Sequence, residues 1–262
     1  MHCHHFQKKN FYYELNPFLA TAAYFIEPCL YWLYRKNKVI AVSESTKQSL
    51  IAIGIPETNI HVIPPALDTS IFSSWESILP LKTKTPTLIT LARLRAWKGI
   101  HFAIQAMKQV HQNFPNVKLL IIGKGPYEAE LRSLVKKLSL NSVVDFLGWM
   151  NQSEKLEHLK RANLLIKTSV REGWGIDVLE ANACGTPAIG WNVDGTKDSI
   201  QHLQTGTLVP FGNIQALSQS ICQFISNSSE QIQMGHRAWQ YAQKFTWDSS
   251  AEKITKILNQ MV

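Results

Sequence analysis

Short β-branched or leucine-rich runs alternate along this chain with longer stretches whose apolar residues recur every three to four positions. That alternation is expected of βαβ units around a parallel sheet. Val39 to Val42 predicts a first strand, and Ser45 to Ala52 a first helix opened by the capping side chains of Ser43-Glu44-Ser45-Thr46. His61 to Ile63 predicts a second strand that stops at Pro64-Pro65, where two prolines forbid helix and stiffen a connector. Residues 66 to 86 have little periodicity, contain Asp68, Ser73, Ser74, Pro80 and Pro86, and read as an inter-domain linker.

A second, longer series follows. Its strands are Thr87 to Ala92, Lys118 to Ile122, Val143 to Phe146, Ala162 to Ile166, Pro187 to Gly190 and Gly206 to Val209. Between them lie the helices Ile100 to Phe114, Tyr127 to Leu138, Lys155 to Arg161, Ile176 to Ala183, Lys197 to His202 and Ile214 to Ser226. Phe102, Ala103, Ala106, Met107 and Val110 give the first of these helices one buried face. Five or six parallel strands with crossover helices make a doubly wound α/β fold. The last segment, Trp247 to Met261, is amphipathic, with Ala251, Ile254 and Leu258 on one face.

One stretch stands apart from this rhythm. Pro17 to Tyr34 is apolar, but Glu27 and Pro28 interrupt it, and it falls short of the ~20 apolar residues of a membrane span. It reads as a helix buried in the protein or lying at an interface.

Composition narrows the class. With 45% hydrophobic and 18% charged residues the chain has what a soluble globular fold needs, which excludes disordered and collagen-like classes. A net charge of +8 favours anionic partners such as nucleotides, phosphorylated lipids or an acidic membrane surface, without choosing among them. Basic residues are scattered and not interleaved with an aromatic platform, so nucleic acid is not an expected partner. Cys3, Cys29, Cys184 and Cys222 lie far apart without CxxC spacing, which indicates neither a zinc site nor a disulfide framework. The opening MHCHHFQKKN lacks the apolar core of a signal peptide. A cytoplasmic setting is expected, with peripheral attachment at the inner membrane face left open by the apolar stretch.

In open parallel sheets ligands bind outside the carboxyl ends of the strands, which singles out three loops. In Arg93 to Gly99, Arg93 and Lys98 flank a helix start and either clamp a diphosphate or are solvated loop cations. Gly123-Lys124-Gly125-Pro126 is a strand-to-helix turn that either lets the backbone approach a ligand or is simple punctuation. The third loop, Arg171-Glu172-Gly173-Trp174-Gly175, leads into a helix carrying Glu180. Its two carboxylates suit sugar hydroxyls and ribose diols, which donate strong charge-assisted hydrogen bonds. The plainer alternative is a surface glutamate and a capping one. No GxGxxG follows the first strand, which argues against a dinucleotide-dependent oxidoreductase.

The ordered segments VIAVSEST, NIHVIPPALD, LARLRAWKG, IIGKGP, VVDFLGW, SVREGWGIDVLEANACGTPAI and FTWDSSAEKI resemble glycosyltransferase family 4, the retaining enzymes of the two-domain GT-B fold. The resemblance spans nearly all of residues 38 to 262. It implies a metal-independent transfer of sugar from a UDP-, GDP- or ADP-sugar to a hydroxyl acceptor, with no cofactor. By position, it implies that Arg93 and Lys98 hold the donor diphosphate. It also implies that Glu172, beside the backbone of Gly173, Trp174 and Gly175, binds the transferred sugar. Glu180 would hold the ribose, Gly123 and Gly125 the donor, and Gly148-Trp149-Met150 would lie near the base.

His4, ten residues before Glu14, is similar to a histidine that in some members approaches the sugar, and His5 is an equal match. The family's paired glycines and glutamate are replaced by Val193-Asp194-Gly195-Thr196-Lys197-Asp198, where Asp198 remains as an acceptor. The resemblance also implies a division into a truncated acceptor-side segment (1–70), a nucleotide-sugar domain (71–246) and a terminal helix returning to the first segment (247–262). A non-catalytic nucleotide-sugar module, or half of a transferase completed by a partner chain, is the competing expectation.

Overall fold

The computed structural model describes residues 1–4 and 10–259. His5 lies outside them. The first segment holds β1 (His2–Cys3), α1 (Phe11–Glu14), α2 (Pro17–Trp32), β2 (Val39–Ala41), α3 (Glu44–Ile51) and β3 (Ile60–Val62). Its three strands pair in parallel in the order β1-β2-β3. The core is small, made chiefly of Cys3, Val39, Ala41, Leu50, Ile55 and Ile60.

The stretch expected to be a linker is tied down along its length. Leu67 N donates to the Phe245 carbonyl (2.9 Å), α4 (Trp75–Ile78) buries Ile78, and Trp239 Nε1 donates to the Ser73 carbonyl (2.9 Å). Lys82 runs inward, and its ammonium donates to the carbonyls of Ala162 (2.9 Å) and Cys184 (3.1 Å). Burial lowers its pKa to about 7. A cavity of about 310 Å³ opens beside it, at the amino ends of the central strands.

The large sheet contains β4 (Thr87–Leu91), β5 (Lys118–Ile122), β6 (Val144–Gly148), β7 (Leu164–Lys167), β8 (Ala188–Trp191) and β9 (Gly206–Val209). All are parallel, in the order β6-β5-β4-β7-β8-β9. β4 and β7 are buried at every position because helices cover both faces, as a parallel sheet requires. On one face lie α5 (Ile100–Asn113), α6 (Glu128–Lys137) and α10 (Ile214–Ser226), inserting Met107, Val110, Leu131, Leu217 and Ile221. On the other, α7 (Gln152–Arg161) and α8 (Ile176–Ala183) insert Leu159, Val178 and Ala181. The fold is the expected doubly wound, Rossmann-like α/β architecture.

Three local readings are corrected. The helix expected over Lys197 to His202 is the single turn α9 (Thr196–Ser199), because Ile200 leaves helical geometry to fill the core and His202 pairs with Gly206. A helix absent from the sequence reading, α11 (Ser228–Ala242), packs on α8 and buries Met234, Gly235, Ala238 and Ala242. The apolar stretch forms α2, yet only Ala20 is buried, while Phe18 (82% exposed), Phe25 (67%) and Leu33 (65%) face outward. Burial within this chain is therefore ruled out as its role. Among the described residues no helix is long and apolar enough to cross a membrane. The last helix, α12 (Trp247–Asn259), has no buried residue, and the Leu67–Thr246 bridge lies at its base.

Candidate functional site

Strand order dictates where a ligand fits. The chain winds outward from β4 through β5 to β6, then returns to place β7 on the other side of β4. The loops leaving β4 and β7 therefore diverge to opposite faces and open a crevice between them, the switch point at which such sheets bind ligands. The β4 loop carries Arg93, Lys98 and Gly99; the β7 loop carries Glu172, Gly173, Trp174 and Gly175.

The β4 loop is held from both sides. Leu94 N donates to the Lys124 carbonyl (3.0 Å) and Tyr127 N to the Leu94 carbonyl (2.9 Å), while Val170 N donates to the Trp97 carbonyl (2.9 Å). Gly123 has φ of 138°, and a Cβ there would strike the Ala92 carbonyl; at Gly125 it would strike that of Leu94. Both glycines thus let the β4 and β5 loops lie against each other. Gly123 N also donates to the Gly148 carbonyl (2.7 Å), which adds the β6 loop. There Trp149 is 70% exposed, and Met150 packs on the core.

The structure brings Lys98 and Glu172 into contact, with Nζ 2.7 Å from Oε1. It adds two residues absent from the sequence reading. Lys167, the buried last residue of β7, lies 2.7 Å from the same Glu172 oxygen and 2.7 Å from Asp177 Oδ2. Two ammonium groups and two carboxylates thus form one balanced cluster. Burial opposes ionisation of Glu172, but Lys167 and then Lys98 hold its carboxyl far below the usual range. Burial likewise opposes the charge of Lys167, and Asp177 and Glu172 outweigh it and raise its pKa. For Lys98, burial and then Lys167 lower the pKa against the pull of Glu172 and Asp177.

Glu180, one turn into α8, is buried and faces α7. Lys155 Nζ donates to both its oxygens (2.7 and 2.8 Å) and Gln152 Nε2 to one (3.1 Å). Gly175 caps α8 with φ of 102°, which turns the chain from the β7 loop into the helix. The Trp174 side chain is buried against Phe245 (ring centroids 5.6 Å). Arg93 is exposed and makes no ion pair among the described residues.

The first segment reaches this crevice at three points. Glu14 Oε1 accepts from Trp97 Nε1 (3.1 Å) and lies 3.3 Å from Arg95. Asp198 accepts from Ser45 N (3.0 Å) and Gly195 N (2.9 Å), so it caps α3 across the boundary. Arg171 reaches Ser49 Oγ (3.1 Å) and Asp194 (3.0 Å). His4 is exposed, its carbonyl accepts from Thr46 Oγ1 (3.0 Å) and its ring lies against His2 (4.6 Å). No contact joins His4 to Glu172.

The family model described as glycosyl transferases group 1 matches residues 72–245, and the one described as Glycosyltransferase Family 4 matches residues 1–71. The chain belongs to the group 1 glycosyl transferases. It is 27% identical, over 84% of its length, to a GDP-mannose-dependent alpha-(1-6)-phosphatidylinositol monomannoside mannosyltransferase of Mycobacterium tuberculosis, of which it covers 61%. It is 28% identical, over 78% of its length, to N-acetyl-alpha-D-glucosaminyl L-malate synthase of Bacillus anthracis, of which it covers 54%. The chain thus spans about half to three-fifths of the length of these curated relatives. Its fold is shared with Anabaena HepE, solved in complex with UDP: TM-score 0.82 at 22% identity, over 99% of this chain and 71% of that one.

Within this group 1 fold, Lys167 had a signal that sequence reasoning passed over. A charged residue closing an otherwise apolar run, Leu164-Leu165-Ile166-Lys167, stands at the ligand-binding end of its strand. Asp177, ten residues on, is its partner in the first turn of α8.

Proposed function

We propose that the chain binds a nucleoside diphosphate sugar in the β4–β7 crevice and transfers the sugar to a hydroxyl acceptor with retention, without a metal. The observation that carries this reading is the contact of Lys98 with Glu172 at the switch point, with Arg93 unpaired on the same loop. Arg93 and Lys98 would grip the diphosphate, Glu172 the transferred sugar and Glu180 the ribose, with Gly123, Gly125 and the Gly173-to-Gly175 backbone giving close approach. Trp149 offers an exposed ring, and Met150 its neighbour, to the base. His4 is a candidate contact to the sugar from the first segment.

In the reaction the anomeric bond to the diphosphate breaks, the acceptor oxygen takes its place, and the hydroxyl proton leaves with the diphosphate. Negative charge grows on the departing phosphate, where fixed donors act most strongly; removal of one such donor costs roughly 2.7–4 kcal/mol of barrier. The named relatives use GDP-mannose and act on a phosphatidylinositol mannoside, or make a glucosaminyl malate, and HepE holds UDP. Those names support a sugar nucleotide as donor and leave a lipid or a small molecule as acceptor class.

A second reading, favoured by the exposed apolar face of α2, is a nucleotide-sugar module whose acceptor side is completed by a membrane surface or partner chain. Donor turnover separates the two. Release of nucleoside diphosphate from UDP-glucose or GDP-mannose by the isolated chain supports the transferase. Binding with no release supports the module, and no binding of any sugar nucleotide contradicts both.

A further inference from the structure

We propose that Lys167 is a positioning residue that lets Lys98 change partners, from Glu172 in the free protein to the diphosphate in the complex. This rests on the donor site proposed above. In the free protein Glu172 Oε1 takes both ammonium groups at 2.7 Å, and Lys167 also grips both oxygens of Asp177 (2.9 and 2.7 Å). When Lys98 turns to a phosphate it therefore leaves a mostly buried carboxylate.

A carboxylate stripped of its last cation in such a place is costly, because burial removes the water that would replace the partner. Lys167 removes that obstacle. It comes from a fully buried strand, is locked to Asp177, and stays on Glu172 when Lys98 departs. The exchange also couples the two halves of the donor. The diphosphate draws Lys98 away, and the oxygen it vacates becomes an acceptor for a sugar hydroxyl. Glu172 is thus held ionised and oriented for the sugar by a residue that does not touch it.

The test uses the full chain and calorimetric titration of UDP, GDP and ADP, with the matching nucleosides as controls. The double variant Lys167→Met/Asp177→Leu removes the buried pair as a unit, an exchange that preserves folding in comparable cases, and its melting transition checks this. Glu172 then depends on Lys98 alone. Affinity for the diphosphate that binds wild type falls by about tenfold, affinity for the nucleoside is unchanged, and adding Glu172→Gln restores the diphosphate affinity. An unchanged affinity in the double variant, an equal loss for the nucleoside, or no restoration by Glu172→Gln overturns the exchange.

Should the double variant fail to fold, Asp177→Asn decides. It leaves Lys167 to Glu172 alone and tightens diphosphate binding, and an unchanged or weaker affinity overturns the proposal. Absence of binding by wild type to all three nucleotides contradicts the donor site itself and this exchange with it. The other outcomes require a bound nucleotide and bear on the exchange alone.

Discussion

The carboxyl edge of the large sheet and the front segment treat charge and apolar surface in opposite ways. At the β4–β7 crevice, Lys98, Lys167, Glu172 and Asp177 are drawn into the protein and paired within 2.7 Å, over strands buried at every position. In the front segment a three-stranded sheet closes over a small core, while α2 turns Phe18, Phe25 and Leu33 outward. Buried charge is retained only where partners compensate it, so the first region is self-contained. Exposed apolar side chains cost the fold little, so the second region keeps an apolar face uncovered by the described residues.

Breaking the balance of the first region gives the largest expected effect. Lys167→Ala leaves Glu172 and Asp177 sharing one cation, and the chain loses about 3–5 kcal/mol of stability, read as a lowered denaturation midpoint with unchanged slope. A loss below about 0.5 kcal/mol, the range of ordinary surface changes, would erase the contrast between the regions. Next comes Glu180→Ala, which removes a buried acceptor facing Lys155 and Gln152. Nucleotide affinity is expected to drop by about tenfold, with titration as the check.

Acid sharpens the comparison further. The folded pKa of Glu172 lies far below its ordinary value of 4.5, so its stabilising contribution is complete above that pH and is lost as pH falls below it. Glu172→Gln is therefore less stable than wild type at pH 6, and the gap narrows progressively below pH 4.5 in urea unfolding series. A gap that stays constant to pH 3 would remove Lys98 and Lys167 as its cause. The smallest effect belongs to α2: Phe25→Asp changes stability by less than about 0.5 kcal/mol, measured by the same unfolding curves. A loss of several kcal/mol would mean that this face is packed after all.

What was legible in the sequence follows from the same contrast. The six strands of the large sheet were readable as short runs rich in leucine and β-branched residues, such as Thr87 to Leu91 and Leu164 to Ile166. The three candidate loops were readable because a doubly wound fold puts ligand-facing loops at the strand ends. Lys167 was not, since the run was closed at Ile166 and a lysine after it looks like the start of a solvated loop. Nor was α11 read, although Met234, Ala238 and Ala242 recur every four residues on its buried face. The outward turn of α2 was unreadable for a different reason: an apolar helix has the same pattern whether its face meets its own chain or another surface. Glu14 and Asp198, which tie the segments together, act across 83 and 153 positions, distances over which local pattern is silent.

The crevice between β4 and β7 is proposed to receive a nucleoside diphosphate on Arg93 and Lys98. Titration of UDP and GDP onto wild type and onto Arg93→Ala/Lys98→Ala measures it most directly. Saturable binding by wild type to at least one of the two is expected, weakened by about a hundredfold in the variant while the matching nucleoside binds both proteins alike. Equal affinity of the diphosphate for the two proteins would contradict it.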